Sequence, residues 1–209
     1  MKKKYARDFF KNGTIRIGTL YDFREIEKHG PEIGDIDEGT KTLTTDGYHM
    51  IDTADSSSIP TWMEEHFHNT FKPKGKNTRL VIHARDGFRV RLTVPDRYVF
   101  CVSDEFDEKL MYDFGYDACI KITNPRGFFT ALTNKMTHKA NWLTLDRCTY
   151  RPRLIIGDHD TGLEPSLIKE ERYAYQKEVR AIWEAHNQDI SPFILKAKKA
   201  RFHCELHHA

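Results

Sequence analysis

The apolar residues of this chain recur in short alternating runs that turn residues separate, and this pattern limits the fold more than any other feature. Three such runs follow one another at Arg79 to Ala84, Phe88 to Val94 and Tyr98 to Ser103, with Asp86-Gly87 and Pro95-Asp96 between them. Alternation with a period of two gives a strand one apolar face, and short turns join antiparallel neighbours. The pattern predicts an antiparallel meander.

Helical signals are short and widely separated. Lys4 to Lys11 carries aromatic residues at helical spacing and ends at Asn12-Gly13, which predicts an opening helix. Asp104 to Phe114 is predicted as a helix capped by Ser103 or Asp104, with a further helix at Pro125 to His138. A short helix is expected at Trp62 to Phe71, and more strands at Thr14 to Leu20, Ala118 to Ile122, Cys148 to Ile156, Lys177 to Ala185 and Phe193 to Cys204. The fold class predicted is α+β, with a largely antiparallel (split) β-sheet and a few short packed helices.

The length of 209 residues and the 39% hydrophobic content suit a single domain with one sizeable core. Within that domain, residues 1–24 are predicted to form the opening helix and strand, and residues 25–60 a long loop region. Residues 61–204 would supply the remaining sheet and helices, and residues 205–209 a tail. A loop of this length in a domain of this size favours a functional role for it.

Charge and cysteine content exclude several classes of protein. The formal net charge of +2 gives no general reason to expect DNA coating or adsorption to a membrane. The chain has no apolar run of the roughly 18 residues that a membrane helix requires. We therefore expect a soluble, cytoplasmic protein with no membrane partner. Its cysteines are then expected as reduced thiols: Cys101, Cys119, Cys148 and Cys204.

Common catalytic motifs are missing from the sequence. It has no phosphate-binding loop, G-x-G-x-x-G, H-E-x-x-H, paired C-x-x-C or nucleophile elbow. Possible metal ligands occur at Asp158 to Asp160, Glu65 to His68 and His203 to His208. Their spacing matches no known closed or catalytic site, so no metal is predicted.

The segment Tyr175 to Trp183 is the most informative for chemistry. In a strand, Glu178 and Arg180 share one face with Ile182, while the alternate positions give an apolar face. One interpretation is a solvated, charged face of an antiparallel sheet. The other is a carboxylate held in a cleft, where it could bind a sugar hydroxyl or stabilise an oxocarbenium-like centre.

An early segment offers a possible anion site. Arg16 shares a strand face with Gly18, and a position without a side chain beside a cation lets a phosphate approach the backbone. Alternatively, Arg16 is simply exposed and Gly18 marks a bulge. Tyr21 and Arg24 follow at the strand end, where they could stack a base or nicotinamide ring or belong to the core.

Ser103 ends an apolar strand at a predicted strand-to-helix junction. It could cap the helix, or it could hold a ligand ribose and orient Glu178. Tyr112 and Tyr116 could line the same cleft or pack against the sheet.

The order of these elements resembles a known fold. A helix is followed by G-x-I-R-I-G-T-L-x-x-F-R-x-I-E, a D-x-x-E-G loop from Asp35 to Gly39, a central F-C-V-S strand and a late Q-K-E-V-R strand. Over about three-quarters of the chain, this order is similar to the ADP-ribosyltransferase-like fold. It resembles in particular small prokaryotic families associated with toxin modules or phage defence.

The resemblance implies an NAD-dependent ADP-ribosyltransferase. In that family an early Arg or His binds NAD, a mid-chain Ser or Tyr supports the ribose and nicotinamide, and a late Glu stabilises the transition state. By position, Glu178 and Gln176 would be catalytic, although the mid-chain strand has Cys-Val-Ser where the family has Ser-Thr-Ser. The residues expected to bind NAD are Arg16, Gly18, Thr19, Tyr21, Arg24, Ser103 and Tyr112. The acceptor could be RNA, DNA or protein, and a cognate antitoxin is a possible partner.

A second function remains open on the sequence alone. The segment Phe193 to His203 contains four basic residues that could bind nucleic-acid phosphates: Lys196, Lys198, Lys199 and Arg201. The same residues could instead protect an edge strand from pairing with another chain. The alternative function is thus an NAD-independent protein that binds or processes nucleic acid.

Overall fold

A computed structural model describes residues 1–30, 33–66 and 81–208. The helices in these ranges are α1 (Lys3–Asn12), α2 (Ile26–His29), α3 (Thr61–His66), α4 (Glu108–Asp113) and α5 (Pro125–Met136). The strands are β1 (Thr14–Thr19), β2 (Thr40–Thr44), β3 (His49–Asp52), β4 (Val81–Ala84), β5 (Arg89–Thr93), β6 (Tyr98–Ser103), β7 (Cys119–Ile122), β8 (Ala140–Arg147), β9 (Thr149–Tyr150), β10 (Leu154–Ile156), β11 (Ile168–Lys169), β12 (Glu178–Ala185), β13 (Phe193–Lys196) and β14 (Cys204–His208).

Local sequence explains where α1 ends and where α5 begins. Helix α1 ends at Gly13, whose φ of 72° is the left-handed conformation that glycine adopts most easily, and whose N–H donates to the Phe9 carbonyl oxygen. Helix α5 begins after Asn124, whose side chain accepts from the Gly127 N–H, and Pro125 occupies its first position.

The largest sheet has five strands in the order β13-β1-β6-β12-β8, and its ladders are antiparallel. Strand β1 pairs with β13 from Thr14 to Ile17 and with β6 at Gly18 and Thr19. A three-stranded sheet has the order β10-β2-β5, and further pairs join β11 to β9, β14 to β7 and β3 to β4. The pairs β10–β2 and β11–β9 are parallel. The predicted α+β class with mostly antiparallel sheets and short helices is confirmed.

The two faces of the five-stranded sheet are both covered. One face packs against α1 and α5 through a core that includes Ile17, Phe128, Leu132 and Trp183. The opposite face carries a smaller cluster of Leu20, Val99, Leu167 and Ile182. A third apolar cluster is formed by buried residues of the three-stranded sheet, β3 and α3, and it includes Leu43, Ile51, Trp62 and Ile155.

Several expectations about the elements need correction. The predicted meander is wrong, because β4 pairs with β3, β5 with β2, and β6 with β1 and β12. The region 25–60 is not only loop, since β2 and β3 lie within it. Residues 205–208 are not a tail, because β14 pairs with β7. Helix α4 is capped by the side chain of Asp107, which accepts from the Leu110 N–H, and not by Ser103 or Asp104.

Some predicted segments lie partly outside the described residues. Of the helix expected at Trp62 to Phe71, the structure describes α3 up to His66, and the first residues of the run Arg79 to Ala84 are likewise outside. In the described part of the chain, no helix is long and apolar enough to cross a bilayer.

Candidate functional site

Strand β12 has the two-faced character that its sequence predicts. Ala181 and Trp183 belong to the core beneath α5, while Ile182 belongs to the cluster on the opposite face. Glu178 and Arg180 share that opposite face, but only 7% and 1% of their surfaces are exposed. The interpretation of Glu178 and Arg180 as part of a solvated, charged face is therefore wrong, because other elements cover both side chains.

The Glu178 carboxylate is held between two cations. Arg180 Nε donates to Oε1 at 2.6 Å, and Lys169 Nζ donates to Oε2 at 2.6 Å. The same Lys169 ammonium also donates to Gln176 Oε1 at 2.5 Å. The backbone N–H of Glu178 donates to the hydroxyl oxygen of Tyr150 at 2.7 Å. Each carboxylate oxygen thus accepts a charge-assisted hydrogen bond, and the carboxylate also accepts from the Cys101 thiol.

Arg180 joins Glu178 to a second carboxylate. Its Nη1 and Nη2 donate to Oε1 and Oε2 of Glu38, both at 2.7 Å, and Nη1 also donates to the Ser166 carbonyl oxygen at 2.5 Å. We call Glu38, Lys169, Gln176, Glu178 and Arg180 the Glu178 cluster. It contains two carboxylates and two cations, so its charges balance in the interior.

Electrostatics keep Glu178 ionised. Burial opposes ionisation, but the charges of Arg180 and Lys169 outweigh that effect and lower the pKa of Glu178 from its usual 4.5 to about 2. Burial raises the pKa of the neighbouring Cys148 thiol to about 12. At neutral pH the cluster therefore presents a carboxylate anion beside a protonated, unreactive thiol.

The loop from Asp35 to Gly39 covers part of the Glu178 cluster. Both of its buried carboxylates bind arginines of other elements: Glu38 binds Arg180, and Asp35 Oδ2 accepts from Arg153 Nη2 at 2.6 Å. The D-x-x-E-G pattern indicated this loop but no role for its acids, and neither Lys169 nor Arg153 was among the predicted site residues. The sequence signal for the loop is its three acids, Asp35, Asp37 and Glu38, followed by Gly39; nothing in the local sequence marks Lys169.

Arg16 takes part in a separate cluster around Asp22. The Asp22 side chain is 2% exposed, and its Oδ2 accepts from Arg16 Nη2 at 2.6 Å and lies 3.1 Å from His29 Nε2. Lys28 Nζ donates to Oδ1 of the same carboxylate. Burial opposes ionisation of Asp22, but the bonds from Lys28 and Arg16 outweigh it and lower the pKa of Asp22. Arg16 itself keeps 42% of its side chain exposed.

The neighbouring NAD-binding candidates are engaged with protein groups. The ring of Phe23 fills the space beside Gly18, where an added Cβ would come within 3.1 Å of it. Thr19 Oγ1 accepts from the Asp22 N–H at 3.1 Å. The Arg24 guanidinium stacks 3.7 Å from the centroid of the Tyr21 ring. The Tyr21 hydroxyl donates to the Val94 carbonyl oxygen at 2.8 Å.

Ser103 reaches the Glu178 cluster, whereas Tyr112 does not belong to it. Ser103 is the register partner of Glu178 across the β6–β12 ladder, and its hydroxyl lies 2.9 Å from the Gln176 carbonyl oxygen. Tyr112 lies on α4 and is 54% exposed. The structure thus brings Ser103, Gln176 and Glu178 together at one end of the ladder.

The basic C-terminal residues lie at the opposite edge of the sheet. Lys196, Lys198 and Lys199 are exposed on or just after β13, the edge strand next to β1. Arg201 Nη1 donates to the Phe10 and Lys11 carbonyl oxygens at 3.0 and 3.1 Å, at the end of α1.

Comparisons with known proteins do not assign the site. No protein family, curated protein or solved structure matches this chain. Among the described residues, no group of three or more His, Cys, Asp or Glu side chains is arranged to hold a metal ion. The carboxylate of Asp160, one of the metal-ligand candidates, accepts from Lys41 Nζ at 2.7 Å.

Proposed function

We propose that this protein is an NAD-dependent ADP-ribosyltransferase with an ADP-ribosyltransferase-like fold, in which Glu178 acts at the reacting ribose. One observation carries the proposal: Ser103, Gln176 and an ionised Glu178 meet at one end of the β6–β12 ladder. Such a reaction requires a fixed anion beside hydrogen-bonding groups, because positive charge develops on the ribose in the transition state.

The register of the five-stranded sheet puts Arg16 on the same face as Glu178. Gly18 pairs with Val99, and Val99 pairs with Ile182, so these residues lie on one face. Arg16 and Glu178 lie on that face too, because each is an even number of residues away. Ideal sheet spacings put their Cα atoms about 12 Å apart. A dinucleotide with its pyrophosphate near Arg16 and its ribose near Glu178 would have to displace the ring of Phe23 and the buried cluster that covers Val99 and Ile182.

In the proposed reaction, the bond between the ribose anomeric carbon and the nicotinamide nitrogen breaks. The bonding electrons leave with nicotinamide, which becomes neutral. A nucleophilic oxygen or nitrogen of the acceptor then bonds to the anomeric carbon and releases its proton to water. The Glu178 carboxylate stabilises the cationic ribose between these steps, and Gln176 positions a ribose hydroxyl.

Substrate reaches Glu178 by displacing a protein contact. The ammonium of Lys169 occupies Oε2, on the side of the carboxylate that faces Gln176. A ribose hydroxyl that replaces this ammonium leaves the Arg180 contact in place and keeps the carboxylate oriented. The four free thiols fit a reducing cytoplasm, which is where we place the reaction.

The test is to incubate the purified protein with labelled NAD and, in separate samples, total cellular protein, RNA and DNA. Nicotinamide release and label transfer to one fraction are expected from the natural sequence. Glu178→Gln should lower nicotinamide release by about 100-fold or more, because it removes the charge that the transition state requires.

Two further variants separate catalysis from stability. Glu184→Gln makes the same change at an exposed position of β12 and should leave nicotinamide release unchanged. Glu38→Gln disturbs the same Arg180 pair but keeps the carboxylate at the ribose, so its folded fraction should lose far less nicotinamide release than Glu178→Gln does. The proposal is wrong if the natural protein neither binds NAD nor releases nicotinamide, or if Glu178→Gln behaves like Glu184→Gln.

A further inference from the structure

Positive charge is concentrated in two segments that are far apart in the sequence. Residues 2–11 contain five Lys or Arg residues, and residues 196–201 contain four. Asp8 is the single acidic residue within these two segments. Because the whole chain has a net charge of only +2, the rest of the molecule is acidic on balance. Such an asymmetry is typical of a local surface for polyanions.

The fold brings the two segments together. Thr14 pairs with Lys196, and the Ala197 N–H donates to the Gly13 carbonyl oxygen at 2.8 Å. Arg201 Nη1 binds the carbonyl oxygens of Phe10 and Lys11 at the end of α1. The end of α1 that carries Lys11 therefore lies against the C-terminal segment, and we call the basic residues of α1 and of this segment the basic surface.

A groove of about 590 Å³ lies between α1 and β14 on this surface. Its polar lining is cationic, and Phe10 and Leu206 add apolar area. The residues that line it are Lys3, Ala6, Arg7, Phe10, Lys11 and Leu206. A groove with cations and apolar area can bind a phosphate backbone together with parts of its bases.

Two aromatic rings are exposed beside the basic residues. Phe202 is 73% exposed, and the Arg201 guanidinium carbon lies 5.0 Å from its ring centroid. Tyr5 is 57% exposed, and Lys4 Nζ lies 4.8 Å from its ring centroid. Large exposed aromatics flanked by cations are the elements of a stacking platform for unpaired bases.

We propose that the basic surface binds single-stranded nucleic acid, with phosphates at Lys198, Lys199 and the α1 cations and with bases stacked on Phe202 and Tyr5. Protection of an edge strand accounts for Lys196 on β13. It does not account for Lys198 and Lys199, which follow the strand, or for the exposed rings. The exposed rings favour an unpaired strand over a duplex, whose bases are already stacked.

This inference is independent of the transfer reaction, and it adds a binding surface outside the Glu178 cluster. If the protein also transfers ADP-ribose to nucleic acid, the basic surface would bind the polynucleotide that is modified. The binding test below uses no NAD, so failure of either proposal leaves the other intact.

The experiment measures fluorescence anisotropy of labelled oligonucleotides of about 16 nucleotides, a length that such sites cover. Single-stranded RNA, single-stranded DNA and duplex DNA are compared at about 50 and about 200 mM salt. We expect both single strands to bind more tightly than the duplex, and their binding to weaken steeply with salt. The RNA and DNA samples show which polynucleotide is preferred.

Variants assign the two parts of the surface. Lys198→Glu with Lys199→Glu should weaken binding by about tenfold or more and reduce the salt dependence, since fewer counterions are released. Phe202→Ala should weaken binding by about 5- to 100-fold with the salt dependence unchanged, because it removes a stacking contact. Arg85→Glu reverses a charge in the exposed turn after β4 and should change affinity less than twofold, a small effect on the scale of about 0.4 kcal/mol.

Thermal unfolding of each variant shows that it is folded. The proposal is overturned if the natural protein binds no oligonucleotide at the lower salt concentration. It is also overturned if Arg85→Glu weakens binding as much as the double Lys variant does. Equal affinity for duplex and single strands, with no effect of Phe202→Ala, would show general polyanion attraction and contradict the stacking platform.

Discussion

Two opposing energies act on the charged residues of the Glu178 cluster: the loss of hydration on burial and the gain from ion pairing. Burial removes the hydration of Glu178, Arg180 and Glu38, and the ion pairs among them restore the lost energy only while every partner is present. A neutral network of this kind makes each member sensitive to substitution. It also holds the Glu178 carboxylate in one orientation, which the proposed reaction requires.

Acid should reveal the contribution of Glu178 to stability. Its pKa falls from about 4.5 when unfolded to about 2 when folded, so its contribution is complete above pH 4.5 and disappears as pH falls towards 2. The shift corresponds to roughly 3 kcal/mol. Urea unfolding of the natural protein should therefore show a loss of free energy of unfolding in this range that Glu178→Gln lacks.

The control for this measurement is Glu184→Gln, which changes an exposed carboxylate on the same strand and should keep the acid dependence of the natural protein. The lowered pKa of Asp22 adds an acid-dependent loss of the same sign to every variant, and subtraction removes it. Parallel pH curves for the natural protein and Glu178→Gln would contradict the ion pairing described above.

The Glu38–Arg180 pair should show strong energetic coupling. Glu38→Met leaves a buried guanidinium without two of its acceptors and should cost about 3 to 5 kcal/mol, and Arg180→Met should cost a similar amount. The double variant buries no unpaired charge at this contact, so its loss should be smaller than the sum of the single losses. Additive losses in denaturant unfolding would show that the pair is not coupled.

Sequence alternation predicted which face of β12 carries Glu178 and Arg180, because that property is local to the strand. It could not predict their burial. The groups that cover them, Glu38 and Lys169, come from a loop and a short strand elsewhere in the chain. Long-range contacts of this kind leave no periodic signal in a single sequence.

At the scale of elements, the junction between α1 and β1 depends on Gly13. Its φ of 72° is unfavourable for other residues, and an added Cβ would lie 2.5 Å from the Lys198 Cα atom. Gly13→Ala should therefore reduce the free energy of unfolding by more than the roughly 1 to 2 kcal/mol that the backbone conformation alone costs.

Gly47→Ala is the matched control for that substitution. Gly47 has a φ of 60° and no atom within 4 Å of an added Cβ, so it carries the conformational cost without the steric one. The difference between the two variants in chemical unfolding measures the close approach of α1 and β13. Equal losses would show that the contact with Lys198 relaxes freely.

Most elements were predictable, but their pairing was not. Alternating runs identified β5 and β6, yet β5 pairs with β2, which lies in the region predicted to be a loop. Strand β2 was missed because Lys41 within it is buried against Asp160, so its pattern is not a simple alternation of apolar and polar residues. Strand β8 was missed because its apolar residues do not alternate regularly: Trp142 and Leu143 are adjacent, where the pairing with β12 shifts register.

At the scale of the whole molecule, the Glu178 cluster connects two bodies of structure. Arg180 lies in the five-stranded sheet, while Glu38 lies in the loop that leads into β2 of the three-stranded sheet. Each body also has its own apolar cluster. The buried ion pairs therefore link the two cores.

This connection should be visible in the cooperativity of unfolding. Trp62→Phe leaves Trp142 and Trp183, so fluorescence then reports on the five-stranded sheet and circular dichroism on the whole chain. The two signals should unfold together in that variant. Adding Glu38→Gln should separate the two midpoints, because it weakens the link between the bodies.

Glu184→Gln in the same Trp62→Phe background is the control and should keep the midpoints together. Coincident transitions in the Glu38→Gln background would show that apolar packing alone couples the bodies.

The pairing of β1 with β13 has a consequence for synthesis on the ribosome. Its amino-terminal half pairs with β13, which emerges about 180 residues later, as the partners Thr14 and Lys196 show. Until residues 193–196 leave the exit tunnel, that half of β1 exposes unpaired backbone groups. A nascent chain in this state offers a strand edge to chaperones or to neighbouring nascent chains. Translation pauses before residue 193 should therefore prolong its exposure to aggregation.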